Sequence, residues 1–341
     1  MLCHSPFVRP SALAFTHHPI FQECTTNMLK LALGRLAAGI PLMFVVATLV
    51  FFLLRANPVD PAEIILGPDA TEAAVQATRS ELGLDRPIVT QYGDWLSGAV
   101  RGDLGVSWFS GESVTTDIAT RLPVTLSLVL GSLTVSLLLG VGAGVAAAVR
   151  AGRKFDRGIT VAASAGLAAP NFWVALLLAY FFSVRLGWFP AVGYASPTEG
   201  IVEWVRHLVL PCIALGTSAA ASIFRQTRSS MIGVLQQDYI RTSLAKGMRL
   251  RTVIYVHALR NAAIPIVTLA GFQVSTLFGG AIFVEQVFNI PGLGSMGVDA
   301  VLRNNVPVVL AFVMITALVV VLVNIVLDLL YEWLNPRVRP S

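Results

Sequence analysis

The sequence has 341 residues, 55% of them hydrophobic and 13% charged, with 24 Lys and Arg against 19 Asp and Glu for a net charge of +5. A soluble chain carries about twice that charged fraction, so this composition, with a mean hydropathy of +0.73, excludes an ordinary soluble domain and describes a polytopic helical membrane protein. The basic balance does not point to nucleic acid, because the basic residues stand beside apolar runs, where the membrane surface accounts for them.

Residues 1–27, with Pro6, Pro10 and Pro19 and with His4, His17 and His18, have neither helical periodicity nor a signal-peptide layout, and are expected to be a disordered extension or a mis-assigned start before Met28. His17 and His18 lack a third ligand nearby, and Cys3, Cys24 and Cys212 show no paired spacing, so neither a metal site nor a disulfide framework is expected. Cys212, at the edge of an apolar run, reads as a buried thiol.

The first span is expected from Leu29 to Leu54, flanked by Lys30 and Arg35 and long enough to cross ~30 Å of hydrocarbon; Pro41 is tolerable inside it. Between Arg55 and Arg121 the acidic residues outnumber the basic ones, which places this stretch outside as a small extracytoplasmic cap completing a first unit, 28–121. Thr71 is placed to open a short amphipathic helix running to Leu82. The core, 122–341, follows with a second span at Leu122–Val149, where Gly140, Gly142 and Gly144 allow close helix approach. The third span, Ile159–Val184, is interrupted at Ala169-Pro170, and Ala191–His207 lies outside. The fourth span is expected at Leu208–Ile223, the fifth at Ile264–Phe283 and the sixth at Val308–Leu330. Asn324 and Asp328 share one face of the last helix; they line a pathway, or Asp328 sits at the cytoplasmic interface.

Arg150, Arg153, Lys154, Arg157, Arg225, Arg228 and the basic residues between Arg241 and Arg260 fall in loops on one side, together with Lys30, Arg35, Arg337 and Arg339. The excess of Lys and Arg makes that side the inside, so the expected fold is all-α with six transmembrane helices and both termini cytoplasmic.

The polar segment 238–265 cannot be a span, because Arg241, Lys246, Arg249, Arg251 and Arg260 crowd into it and each charge at mid-bilayer costs roughly 2.5–3.5 kcal/mol. Tyr239, Leu244, Leu250, Ile254, Ala258 and Leu259 recur near helical spacing around Gly247, which predicts a helix, a glycine turn and a second helix at the membrane surface with an apolar stripe free for another protein.

Asp238-Tyr239-Ile240-Arg241-Thr242 with Ala245-Lys246-Gly247, then His257-Ala258-Leu259-Arg260-Asn261-Ala262 and Pro265, resembles the cytoplasmic coupling loop of ATP-binding-cassette importer permeases of the dipeptide/oligopeptide/nickel branch. Arg101-Gly-Asp-Leu-Gly-Val-Ser and Leu186-Gly-Trp-Phe-Pro match further patterns of that family. Arg241-Thr242-Ser243 stands where the broader importer consensus has Glu-Ala-Ala, as is usual for the peptide branch. The resemblance implies a permease subunit in the cell (inner) membrane, paired with a second homologous permease. It implies two ATPase subunits that grip the loop and an extracytoplasmic solute-binding protein that delivers cargo, with no nucleic acid taking part. It implies import of peptides, or of nickel complexes or similar small solutes, by alternating access.

The residues themselves leave three classes open. No Gly-x-x-x-x-Gly-Lys-[Ser/Thr] occurs, so no nucleotide site, no cofactor and no enzymatic activity are expected. An intramembrane protease needs His-Glu-x-x-His, or a histidine base beside a serine such as Ser164, and the spans hold neither. A secondary transporter without an ATPase partner predicts two similar halves with charges near mid-membrane, and a single conspicuous docking loop fits an ATP-driven importer better.

Overall fold

The computed structural model describes the backbone of residues 19–56 and 59–334 and the side chains of residues 34–56 and 59–327. Asp328, His17, His18 and the last residues from Asn335 lie outside the described side chains. Among the described residues, five helices are long and apolar enough to cross a membrane, and a pair bent by 105° brings the number to six if it counts as one broken span. The spans are carried by α1 (Pro19–Arg55), α5 (Val114–Val149), α6 and α7 (Lys154–Ala168 and Asn171–Arg185), α8 (Ile201–Leu235), α10 (Leu250–Phe288) and α12 (Val306–Leu334).

Their limits correct the reading from sequence. Helix α5 begins at Val114 rather than Leu122, α8 covers Ile201–Leu235 rather than Leu208–Ile223, and α10 is continuous from Leu250 rather than starting at Ile264. A helix of 35 residues is about 50 Å long, well over the ~30 Å of hydrocarbon. Hydropathy therefore marks only its apolar middle, while its polar ends continue the helix past the membrane. Residues 19–27, expected to lack regular structure, already belong to α1. At Ala169-Pro170 the chain turns by 105° between α6 and α7; proline there cannot donate to the helical ladder and holds its predecessor extended, with Ala169 at ψ 126°.

Helices α5 and α8 run parallel and touch through small residues. A Cβ on Gly140 would stand 2.8 Å from Ala220 O, one on Gly144 2.6 Å from Thr227 Cβ, and one on Gly216 2.9 Å from Ser132 O. Ser136 Oγ donates to Gly216 O at 2.9 Å across this seam. Close backbone approach with interhelical hydrogen bonds is how membrane helices associate where lipid removes the hydrophobic drive. Gly140 and Gly144 thus act as expected, whereas Gly142 faces open space. Cys212 is buried against the same seam, beside Gly131.

One end of the bundle is closed by the region after α1. Helices α2 (Pro61–Leu66) and α3 (Glu72–Glu81) are capped by Asp60 and Thr71, whose side chains accept from Ala62 N and Ala74 N, and Arg79 pairs with Asp60 at 2.7 Å. Helix α4 (Ile88–Val100) lays Tyr92 and Trp95 against Phe51 of α1 and Leu310 of α12. In the Arg101–Ser107 motif, Leu104 is buried and Asp103 Oδ1 accepts from Gly105 N at 2.9 Å. Ser107 Oγ accepts from Asn305 Nδ2 at 3.0 Å. The motif is a structural knot between cap and α12.

Between α10 and α12, a stretch the sequence reading left unassigned forms α11 (Leu293–Leu302). It is held by Glu285, whose side chain is fully buried. Thr125 Oγ1 donates to one carboxylate oxygen at 2.6 Å, Ser295 N donates to the other at 2.9 Å, and Leu293 N donates to Thr125 Oγ1 at 2.8 Å. A carboxylate at the first turn of α11 meets the backbone donors that a helix start leaves free. Gly292 and Gly294 have no room for a side chain beside it.

Candidate functional site

At the other end of the bundle, α8 leads into α9 (Asp238–Ala245), which is followed by Lys246 and Gly247 and then by the start of α10. Asp238 lies in the first turn of α9, where a negative charge suits the helix dipole. Lys246 N donates to Thr242 O at 3.0 Å and Met248 N to Ser243 O at 3.3 Å. Gly247 has φ +79°, the left-handed conformation that closes a helix and that a side chain disfavours.

What fixes this hairpin is Ile240, 2% exposed. It inserts into a cluster with Val145 of α5, Ile223 and Met231 of α8, and Val253, Ile254 and Ala258 of α10. The apolar positions expected to form one free stripe are therefore divided. Ile254 and Ala258 are buried inside the chain, while Tyr239, Leu244 and Leu250 remain exposed. Tyr239 accepts a hydrogen bond at its hydroxyl from Asn261 Nδ2 at 2.8 Å, and Asn261 Nδ2 also reaches His257 O at 3.0 Å. The two separated motifs of the sequence thus meet through Tyr239 and Asn261.

Around that link Arg241, Thr242, Ala245, Lys246 and Arg260 are exposed. Thr242 turns its hydroxyl back to Asp238 O at 3.0 Å, and Arg241 reaches Asp238 only at 3.7 Å with three-quarters of its side chain open to solvent, an arrangement of little energetic weight. Pro265 does not join the hairpin: it lies inside α10, one helical turn beyond Asn261. The helix is continuous through it, after wider turns at Val253–Ala258; such turns accommodate an irregular ladder within a helix.

A residue pair that sequence reasoning missed braces the site. Asp156, at the start of α6, takes both Arg228 Nε at 2.6 Å and Arg228 Nη2 at 2.7 Å, and accepts from Gly152 N at 2.8 Å. The bidentate fork ties the loop between α5 and α6 to α8, about two turns before the end of that helix at Leu235. Of the two, the sequence reading uses only Arg228, for its charge; a lone acid within the basic run Arg150–Arg157 is the signal that marks Asp156.

Residues 28–129 match the model of the binding-protein-dependent transport system membrane component, N-terminal, and residues 140–340 match that of the binding-protein-dependent transport system inner membrane component. The chain belongs to this family. It is an inner-membrane permease, a transport component rather than a catalyst, and its family implies an ATPase and a substrate-binding protein as partners. The permease is 41% identical over 312 residues to a putative peptide transport system permease protein of Brucella abortus (strain 2308), covering 92% of this chain and 99% of that one. It is equally 41% identical over 312 residues to the glutathione transport system permease protein GsiC of Escherichia coli (strain K12), with the same coverage. Among solved structures, inward-facing conformations of the MetNI methionine ABC transporter align at a TM-score of 0.50 and 19% identity over 64% of this chain and 95% of that chain, a likeness of fold.

Proposed function

We propose that this permease imports small peptides, and that its ATPase grips α9 together with the exposed turn from Lys246 to Leu250. A second homologous permease completes the pathway, two ATPase subunits bind at the hairpin end, which is cytoplasmic, and a solute-binding protein docks on the cap. The observation that carries this reading is the double character of α9. Its exposed residues offer Tyr239, Leu244, Arg241 and Lys246 to a partner, while Ile240 is buried in a cluster to which α5, α8 and α10 all contribute.

A force on α9 is then delivered through the start of α10 into a core shared by three spans, not to a loose loop. Helices α5 and α8 share a seam without slack, so a displacement at α9 is carried along both toward the cap. ATP favours the arrangement in which the ATPase subunits close, and the spans follow as a population shift between two states. The relatives named for peptides and for glutathione favour peptide cargo over nickel complexes.

Two measurements test the reading. Reporter fusions after Trp95 are expected to report the extracytoplasmic side, and fusions after Lys246 the cytoplasmic side; the same side for both overturns the topology. Leu244→Cys is expected to cross-link to the ATPase subunit in the assembled complex, with a yield that changes on adding ATP. Efficient cross-linking from the cap instead of α9 overturns the docking assignment.

A further inference from the structure

We propose that the cavity between the cap and the ends of α1 and α12 binds the phosphate of a phospholipid headgroup. The cavity encloses about 190 Å³ and is lined by Phe51, Arg55, Gln91, Trp95, Trp108 and Leu310, among others. That space is well below the roughly 300–1,000 Å³ of small-molecule sites, so it suits a compact anionic group rather than the transported cargo.

Its polar wall has donors to spare. Arg55 Nε and Trp95 Nε1 are both buried and find no acceptor among the described residues, a condition rare enough in folded proteins to need a cause. The other polar groups of the wall are engaged. Arg86 pairs with Asp94, and Gln91 Nε2 donates to Leu84 O and to Arg86 O at 3.2 and 2.7 Å. Asp60, the carboxylate that acts on Arg55, is itself paired with Arg79 at 2.7 Å, so what remains is one cation and one neutral N–H, the complement of a monoanion with several acceptor oxygens. Arg55 is also held in place, its Cζ 5.7 Å from the centre of the Trp108 ring.

Depth selects the source of the anion. Arg55 is the last residue of the apolar span Gly34–Arg55, and beside it Phe52 and Leu53 are 46% and 66% exposed. That face of α1 meets acyl chains up to the level of Arg55. Tyr92, Trp95 and Trp108 gather at the same level, where aromatic belts mark the headgroup boundary. A phospholipid with its chains along Phe52 and Leu53 brings its phosphate to this wall, and it would tie the cap to the span through the lipid.

The test uses the full permease complex, reconstituted in vesicles of phosphatidylglycerol and phosphatidylethanolamine, extracted in detergent and weighed by native mass spectrometry. The wild type is expected to retain a phospholipid per permease chain that Arg55→Gln and Trp95→Phe both lose. Trp95→Phe removes the N–H while keeping an aromatic ring beside Tyr92, so it remains informative if Arg55→Gln fails to assemble. Equal retention in wild type and variants, or none in the wild type, overturns the proposal. So does binding of inorganic phosphate by delipidated wild type without any retained lipid, which would assign the site to the free ion. Loss of stimulation by the binding protein with lipid retention unchanged would give the site to a protein carboxylate and overturn it equally.

Discussion

At the cap end, polar side chains are turned inward: Glu285 meets Thr125 and Ser295, Asn305 meets Ser107, and Asn304 Nδ2 donates to Val59 O at 2.9 Å. At the hairpin end the arrangement is reversed, with Ile240, Val253 and Ala258 buried and Arg241, Lys246 and Arg260 turned out. Buried polar groups specify a unique packing because each one left without its partner is penalised. Exposed basic groups over an apolar anchor leave the chemistry available to another protein. Most buried polar groups of the cap end are thus paired within this chain, with Arg55 Nε and Trp95 Nε1 among the exceptions, whereas the hairpin end turns its charged groups outward to a partner.

The strongest way to break this contrast is at Glu285. Glu285→Ala removes the acceptor for Thr125 Oγ1 and Ser295 N inside a fully buried node, and each stranded donor costs about 1–3 kcal/mol. The variant is expected to accumulate poorly or to unfold at a clearly lower temperature in detergent, with Glu285→Gln intermediate because it keeps one acceptor. A Glu285→Ala protein as heat-resistant as the wild type would show that the node does not hold the cap end.

The next effect sharpens the hairpin side. Asp156→Asn weakens the fork to Arg228 and is expected to reduce uptake severalfold while ATP hydrolysis by the complex persists, because α8 is then less firmly joined to the loop before α6. The charge swap Asp156→Arg with Arg228→Asp should regain part of the uptake. Equal loss of hydrolysis and uptake in the single variant, without recovery in the swap, would reduce the pair to a fold contact.

The membrane-spanning bundle was legible because each span carries a run of apolar residues that no soluble structure needs, and the hairpin was legible because charge interrupts those runs. Gly247 was legible too: a glycine between two periodic segments marks the left-handed turn that it adopts at φ +79°. The helix ends were not, since α8 and α10 continue past the apolar stretch on backbone hydrogen bonds that leave no hydropathy signal. Nor were the pairings of Asp156 with Arg228 and Glu285 with Thr125, which are 72 and 160 residues apart. A single acid among bases or at the end of a span identifies a candidate, but only tertiary packing supplies its partner. The apolar stripe of the hairpin was misassigned for the same reason, because periodicity cannot tell which apolar positions, such as Ile254, face the chain's own core.

A smaller effect is expected at the turn itself. No heavy atom comes within 4 Å of a Cβ built on Gly247, so Gly247→Val carries only the backbone cost, about 1–2 kcal/mol for an L-residue in the left-handed region. Insertion and assembly should be unchanged, since Ile240 and the α5–α8 seam are untouched. Stimulated ATP hydrolysis and uptake should fall together, because the tilt between α9 and α10 sets how Leu244 and Leu250 meet the partner. Wild-type rates in a purified Gly247→Val complex would remove the turn from the mechanism.

The smallest effect is expected before the first span, and it tests whether the hairpin end uses anything from the amino terminus, which enters α1 from that side. The apolar part of α1, Gly34–Arg55, has 22 residues, which at 1.5 Å per residue covers about 33 Å and suffices for the hydrocarbon core. The family match opens at residue 28, so the helical residues 19–27 extend α1 beyond both what crosses the membrane and what the family shares. Deleting residues 1–27, with Met28 as the new start, is therefore expected to leave membrane insertion, ATPase binding and uptake at wild-type levels. Loss of uptake at equal protein level would mean that this segment contributes to the hairpin end, and α9 with the turn from Lys246 to Leu250 would no longer suffice to describe what is presented there to the ATPase.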